Sequence, residues 1–231
     1  MAKSKKIILF IVEGPTEKIA LGSIFYRIFN PAYVEFDVVH GDLTSNYDTW
    51  RNPREAVREI VLDYIKANRG FRWDDIKQVV QICDTDGAFI PESSIIQSDN
   101  EKTVYTDDCI FSTNPNGIID RNSRKKYSMN KLVAVKSLTY RKKSIPYAVY
   151  FLSRNMEHAF YNIKGNLSDE KKSDLAYKFR KKYINNIDEF LAFLKSSDIA
   201  VEGSYKDTWD YIKVGNNSLK RGSNLYLVLP D

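Results

Sequence analysis

Cysteine is nearly absent. The 231 residues hold two, Cys83 and Cys109, too few for a disulfide scaffold or a four-cysteine zinc site, and a reducing cytoplasm is the compartment that fits. Histidine is equally scarce: His40 and His158 stand alone, and each reads as a structural side chain. Long apolar runs are missing too. The longest, Ile7–Val12, is six residues, against the ~20 a membrane-spanning helix needs, so no membrane partner is expected. The basic-then-apolar start Lys3–Val12 is broken by Glu13 and Pro15, with no small-residue cleavage site after it, which argues against a signal peptide. No Walker-type phosphate loop occurs, which leaves no ATPase motor in this chain. Charge of one sign hardly dominates: 35 Lys and Arg against 30 Asp and Glu give +5, a balance that permits a polyanionic partner without demanding one. An apolar share of 43% excludes wholesale disorder and suits one domain with an insertion.

What is present alternates. Lys6–Val12 is apolar and β-branched, like a strand buried on both faces. Gly14 and Pro15 suit a turn into a helix, in which Ala20, Ile24 and Ile28, and Leu21, Phe25 and Phe29, recur four apart. Tyr33–Val39 predicts a second strand, Pro53 opens a second helix, and Ile76–Cys83 predicts a third strand. Pro146–Leu152 predicts a fourth strand, helices follow at about 169–184 and 187–197, and Asn224–Leu229 predicts a closing strand. The expected fold is α/β and Rossmann-like: a mostly parallel central sheet with helices on both faces. Residues 88–144 break the rhythm and read as a long insertion, partly loop, and residues 165–215 as a C-terminal helical part. Within the insertion, residues 91–108 carry five acids and one base, whereas residues 121–143 carry nine bases and no acid.

Parallel sheets bind ligands beyond the carboxyl ends of their strands. There the sequence places Glu13, and Glu17 one helical turn on; Asp84 and Asp86; Glu157; and, after strand two, His40-Gly41-Asp42. Each also has a plainer reading: Asp-x-Asp-Gly suits an exposed turn, Glu17 a helix first turn, and Glu157 a surface pair with Arg154. Together they would repel by on the order of 4 kcal/mol per pair at ~4 Å, so pKa values rise or a cation sits among them. Hard oxygen donors select Mg²⁺ or Mn²⁺. The basic run, with Arg121, Arg124, Lys125, Lys126, Lys131, Arg141, Lys142 and Lys143 interleaved by Tyr127 and Tyr140, suits phosphates and bases of nucleic acid. It also suits a solvated loop or an acidic partner.

The run Val12-Glu13-Gly14-Pro15-Thr16-Glu17 after an apolar strand, followed later by Asp84-Thr85-Asp86, resembles the Toprim domain shared by topoisomerases, bacterial primases and OLD-family nucleases. The variant is similar to the OLD and RloB-like groups found in anti-phage systems, whose Glu-x-x-x-Glu pair is matched by Glu13 and Glu17. Their Arg-x-x-Glu is matched by Arg154-Asn155-Met156-Glu157, with Phe160 beyond. The resemblance covers the β/α framework and leaves 88–144 unmatched. It implies a Mg²⁺-dependent endonuclease of DNA or RNA, tRNA included. Asp84 and Asp86 would hold one ion, while Glu13, with Glu17 and Glu157, would hold a second or serve as acid and base. Arg154, Lys213, Lys220 and Arg221 are the candidate cations for the charged transition state. An ATPase subunit and a second copy of the chain are the protein partners expected. A primase- or topoisomerase-like activity and a non-catalytic nucleic-acid-binding module are the alternatives.

Overall fold

The computed structural model describes residues 7–29, 34–38, 43–68 and 70–230; His40 and Asp42 lie outside the described residues. The elements in chain order are β1 (Ile7–Val12), α1 (Pro15–Ile28), β2 (Val34–Val38), α2 (Pro53–Ala67), β3 (Ile76–Asp84), β4 (Ile95–Gln97), β5 (Val104–Tyr105), β6 (Ile110–Ser112), α3 (Pro115–Val133), β7 (Ser137–Tyr140), β8 (Lys143–Leu152), α4 (Met156–Tyr161), α5 (Asp169–Tyr183), α6 (Ile187–Leu194) and α7 (Tyr205–Ile212). The main sheet has the order β2-β1-β3-β8-β7. Its first four strands run parallel, and β7 closes the edge antiparallel to β8. This is an α/β fold of the Rossmann-like class.

The alternation of β1 explains both layers. Ile8, Phe10 and Val12 enter one core with α1, α4, α5 and α6, through Leu21, Phe25, Phe160, Phe179 and Phe190. Ile7, Leu9 and Ile11 enter the other with α2, α3 and α7, through Val57, Leu132 and Trp209. Phe179 anchors the first layer: its ring stacks on Phe160 at 4.5 Å and meets Tyr183, Phe190 and Phe193 edge-on. No helix among the described residues is long and apolar enough to cross a membrane.

One expectation gains detail and one changes. Residues 88–144 are largely ordered secondary structure: a second small sheet, β4-β6-β5, the 19-residue helix α3, and β7 of the main sheet. The closing strand Asn224–Leu229 is instead a 3-10 turn over Leu225–Val228. The reason is local. β7 covers only the first half of β8, and side chains take up the rest of that edge. Asn224 Oδ1 accepts from Phe151 N, the Tyr205 hydroxyl donates to Val149 O, and Trp209 Nε1 donates to the same oxygen. Ser223 makes one isolated bridge to Leu152 before the chain turns away.

Candidate functional site at the carboxyl edge of the sheet

The strand order reverses between β1 and β3, and the crevice beyond their carboxyl ends is where parallel sheets hold ligands. Glu13 follows β1 directly and Asp84 is the last residue of β3. Gly14 caps α1 in an extended conformation and Pro15 starts the helix, which sets Glu17 at the third helical position. From there its carboxylate folds back over Gly14, so closely that a Cβ on Gly14 would stand 3.0 Å from Oε2. Glu13, Glu17 and Asp84 line a cleft of about 430 Å³ that continues to Asp169 and Lys172 of α5.

Charge repulsion marks the convergence. Burial, first, and then Glu13, Glu17 and Asp86 push the Asp84 carboxyl well above the usual range, with Lys125 pulling the other way. Burial and the nearby Glu157 push Glu17 up to about 7, against the hydrogen bonds it accepts from backbone and from Thr16. The carboxylates of β1, β3 and the β8 exit thus feel one another across a single rim.

Asp86 reaches the rim through a tight turn. β3 stops at Asp84, and Asp86 and Gly87 both take positive φ, 48° and 69°. Glycine is required at the second position: a Cβ there would lie 2.5 Å from Leu219 Cδ2. The turn is laced to the β8 exit. Thr85 N donates to Leu152 O, Asp86 N to Arg154 O, and Arg154 N to Thr85 Oγ1. Ser153 Oγ in turn donates to Ser218 O and Lys220 O, which ties the C-terminal segment beneath both exits.

Lys125 is the residue whose role the sequence reading missed. It sits on α3 with no exposed side-chain surface, its ammonium 2.5 Å from Asp86 Oδ2 and 3.9 Å from Glu13 Oε2. It is an internal counterion and not a surface base. The rest of the basic run divides as well. Arg121 donates to Asp86 O and to the Tyr105 hydroxyl. Arg124, Lys126 and Lys131 stand on the outer side of α3. Arg141 and Lys142 form the turn between β7 and β8, and Lys143 starts β8 with a bond to Asp74. The site is at the other end of that strand, about 30 Å away at 3.3 Å per residue, so these three do not join the rim.

Arg154 is buried in a left-handed conformation. Its Nη2 donates to Lys164 O, its guanidinium lies 4.6 Å over the Tyr105 ring, and Nη1 is buried with no partner among the described residues. Burial lowers its pKa. Tyr105, on the small sheet, therefore links Arg154 to Arg121, and the acidic stretch 91–108 serves as a buttress for the site. Glu157 is buried in the first turn of α4. Lys220 is exposed, and its described tie to the site is its carbonyl, not its ammonium. Arg221 closes α4 by donating to Ala159 O and Phe160 O. His158 donates from Nδ1 to Ser153 O, and burial brings it down to about 4, so it is neutral and structural.

The donor chemistry fits a hard divalent cation: carboxylate oxygens from Glu13, Glu17, Asp84 and Asp86, with Glu17 and Asp84 raised by burial and by their neighbours. As the side chains stand, no three carboxylate, imidazole or thiol groups among the described residues form a ligand set. Lys125 holds Asp86, and Glu17 is turned onto Gly14. No family model, curated protein or solved structure matches the chain.

Proposed function

We propose that the chain is a Toprim-type, divalent-cation-dependent phosphodiesterase that cleaves nucleic acid, with anti-phage defence as its setting. The observation that carries the reading is geometric: Glu13, Glu17 and Asp84 line one cleft beyond β1 and β3, where burial first, and neighbouring carboxylates after it, raise the pKa values of Asp84 and Glu17. The Glu-Gly-Pro-Thr-Glu and Asp-Thr-Asp motifs support it from the sequence side.

Asp84, Glu13 and Asp86 would hold Mg²⁺ or Mn²⁺, with Glu17 and Glu157 next to them; the ion supplies charge neutralisation at the phosphorus and a more acidic water. The chain's own residues do the rest. Glu17, which titrates at about 7 in the ion-free cleft, stands where a carboxylate could take or give a proton as general base or acid. Lys125 holds Asp86 and Glu13 together and offsets their charge. Arg154, its Nη1 buried without a partner, offers a donor to a phosphate oxygen. The cleft beside α5 gives the scissile strand room.

Lys125 also favours a second reading, a nucleic-acid-binding module without chemistry, since an ammonium already supplies countercharge where the ion would act. End-labelled single-stranded and duplex DNA and tRNA, incubated with Mg²⁺, Mn²⁺ or chelator, separate the two. Cleavage that needs the ion and is lost in Glu13→Gln and Asp84→Asn supports the phosphodiesterase. Folded wild-type protein that binds these substrates and cuts none overturns it in favour of the binding module.

A further inference from the structure

The outer side of α3, part of the basic run, meets the segment 43–52, and the two together make a surface that the run alone does not show. Tyr47 is 74% exposed and Tyr127 is 41% exposed. The Arg124 guanidinium covers one face of the Tyr47 ring at 3.8 Å. Trp50 meets Tyr127 edge-on at 5.3 Å, Arg51 stands 5.2 Å from the Trp50 ring, and Lys131 stands 5.4 Å from Tyr127. Arg124 is also anchored to Ser45 O, which fixes the segment against the helix.

Three rings interleaved with three cations are a poor match for a duplex, whose stacked bases leave no π-face free for a ring and show only their edges in the grooves. They match unpaired bases, which have free π-faces to stack, with the cations left for the phosphates between them. A protein partner with acidic side chains would use the cations but leave Tyr47 in water.

The helix also gives the surface a direction. Arg121, Arg124, Tyr127 and Lys131 follow one another at three- and four-residue steps and form one stripe on α3. Arg121 is bonded to Asp86 O at the rim. From Arg121 to Lys131 the helix rises about 15 Å, a length of about four stacked nucleotides. We infer that this stripe, with Tyr47 and Trp50, is a stacking track for an unpaired nucleic-acid strand that leads to the carboxylate rim. The inference deepens the phosphodiesterase reading and rests on it for what the bound strand is there to do. The binding itself needs no cleavage.

Trp50 makes a direct test possible. The chain has three tryptophans, and Trp73 and Trp209 are buried in the core, so a stacked base quenches Trp50 alone. The probes are a thymidine oligonucleotide, a uridine oligonucleotide, and the thymidine strand annealed to its complement, all with chelator present to prevent hydrolysis. The expected result is quenching by both single strands, absent in Trp50→Phe, with anisotropy showing affinity weakened at least about five-fold in Tyr47→Ala and in Tyr127→Ala. Tyr47 is exposed enough that its variant tests binding without disturbing the fold. Tighter binding of the annealed duplex, no binding of either single strand, or unchanged affinity in both tyrosine variants overturns the track. A nuclease that cuts duplex and shows no quenching overturns the track alone. Quenching by single strands in a protein that cuts nothing supports the track and removes the phosphodiesterase reading.

Discussion

Replacing Lys125 by methionine keeps the length of the buried stem and removes its charge. The ammonium is fully buried, 2.5 Å from Asp86 and 3.9 Å from Glu13. At an effective dielectric of 20, a pair ~4 Å apart attracts by about 4 kcal/mol before desolvation is subtracted. The variant does not read that gross figure. It reads the difference between paired carboxylates and carboxylates left in a poorly solvated rim, which for a fully buried pair is about 3–5 kcal/mol. Asp86 retains 29% of its side-chain exposure, so water replaces part of the lost partner, and a loss of about 2–4 kcal/mol is expected. Asp86→Asn leaves the ammonium buried and lowers stability by a comparable amount. The double variant removes both charges, and its loss falls short of the sum of the two by at least about 1 kcal/mol. Urea denaturation with chelator at neutral pH measures this, provided the slope is unchanged so that the midpoint reports stability. Added Mn²⁺ then stabilises Lys125→Met more than wild type, because the ion takes over the missing countercharge. If Lys125→Met lies within about 0.5 kcal/mol of wild type, or the two substitutions add, the pair behaves like a surface ion pair and Lys125 is no counterion for the rim.

Other consequences follow from the same geometry. Glu17 titrates near 7 in the folded protein against 4.5 as its ordinary value, so the folded state keeps a proton that the unfolded chain has lost. Without divalent ions, stability is therefore greatest below about pH 4.5 for this group and falls as pH rises through about 7, by about 3 kcal/mol in all. In Glu17→Gln, thermal denaturation across this range shows a shallower decline, and Asp84 accounts for what remains. Gly14→Ala places a methyl group 3.0 Å from the Glu17 carboxylate and displaces it; kcat falls at least about ten-fold while the melting temperature changes little. Phe179→Ala empties the ring cluster between α4, α5 and α6 and lowers stability by about 3–5 kcal/mol, with affinity for Mn²⁺ in the still-folded fraction unchanged.

The parts of the fold legible in the sequence are those where apolar periodicity and burial coincide. β1, α1, α2, β3, β8, α5 and α6 all fall where strand or helix patterns place them, because apolar side chains make up most of what each buries. α3 was hidden because its buried face is polar: Asn122, Lys125 and Ser128 share it with Met129 and Leu132. A lysine among apolar neighbours reads as surface, and only the carboxylates arriving from β1 and β3 make it an interior residue. The helix therefore looked like a basic loop. The last segment misled in the opposite sense: Leu225, Leu227 and Leu229 alternate like a strand, but the β8 edge they would have joined is already satisfied by Asn224, Tyr205 and Trp209. The carboxylates were legible one by one, from their places after strands. Their countercharge and the aromatic surface across α3 were not, since both depend on contacts between distant segments, such as Lys125 with Asp86, 39 positions apart, and Arg124 with Ser45, 79 apart.

The idea that the rim carboxylates together hold a divalent cation is tested most directly by Mn²⁺ titration followed by electron paramagnetic resonance, in which protein-bound ion drops out of the free-ion signal. Wild type is expected to remove Mn²⁺ from that signal, and Asp84→Asn and Glu13→Gln, folded by circular dichroism, to leave it in solution. Wild-type protein that leaves all Mn²⁺ free, or an Asp84→Asn variant that takes it up as wild type does, contradicts the metal site and with it the proposed chemistry.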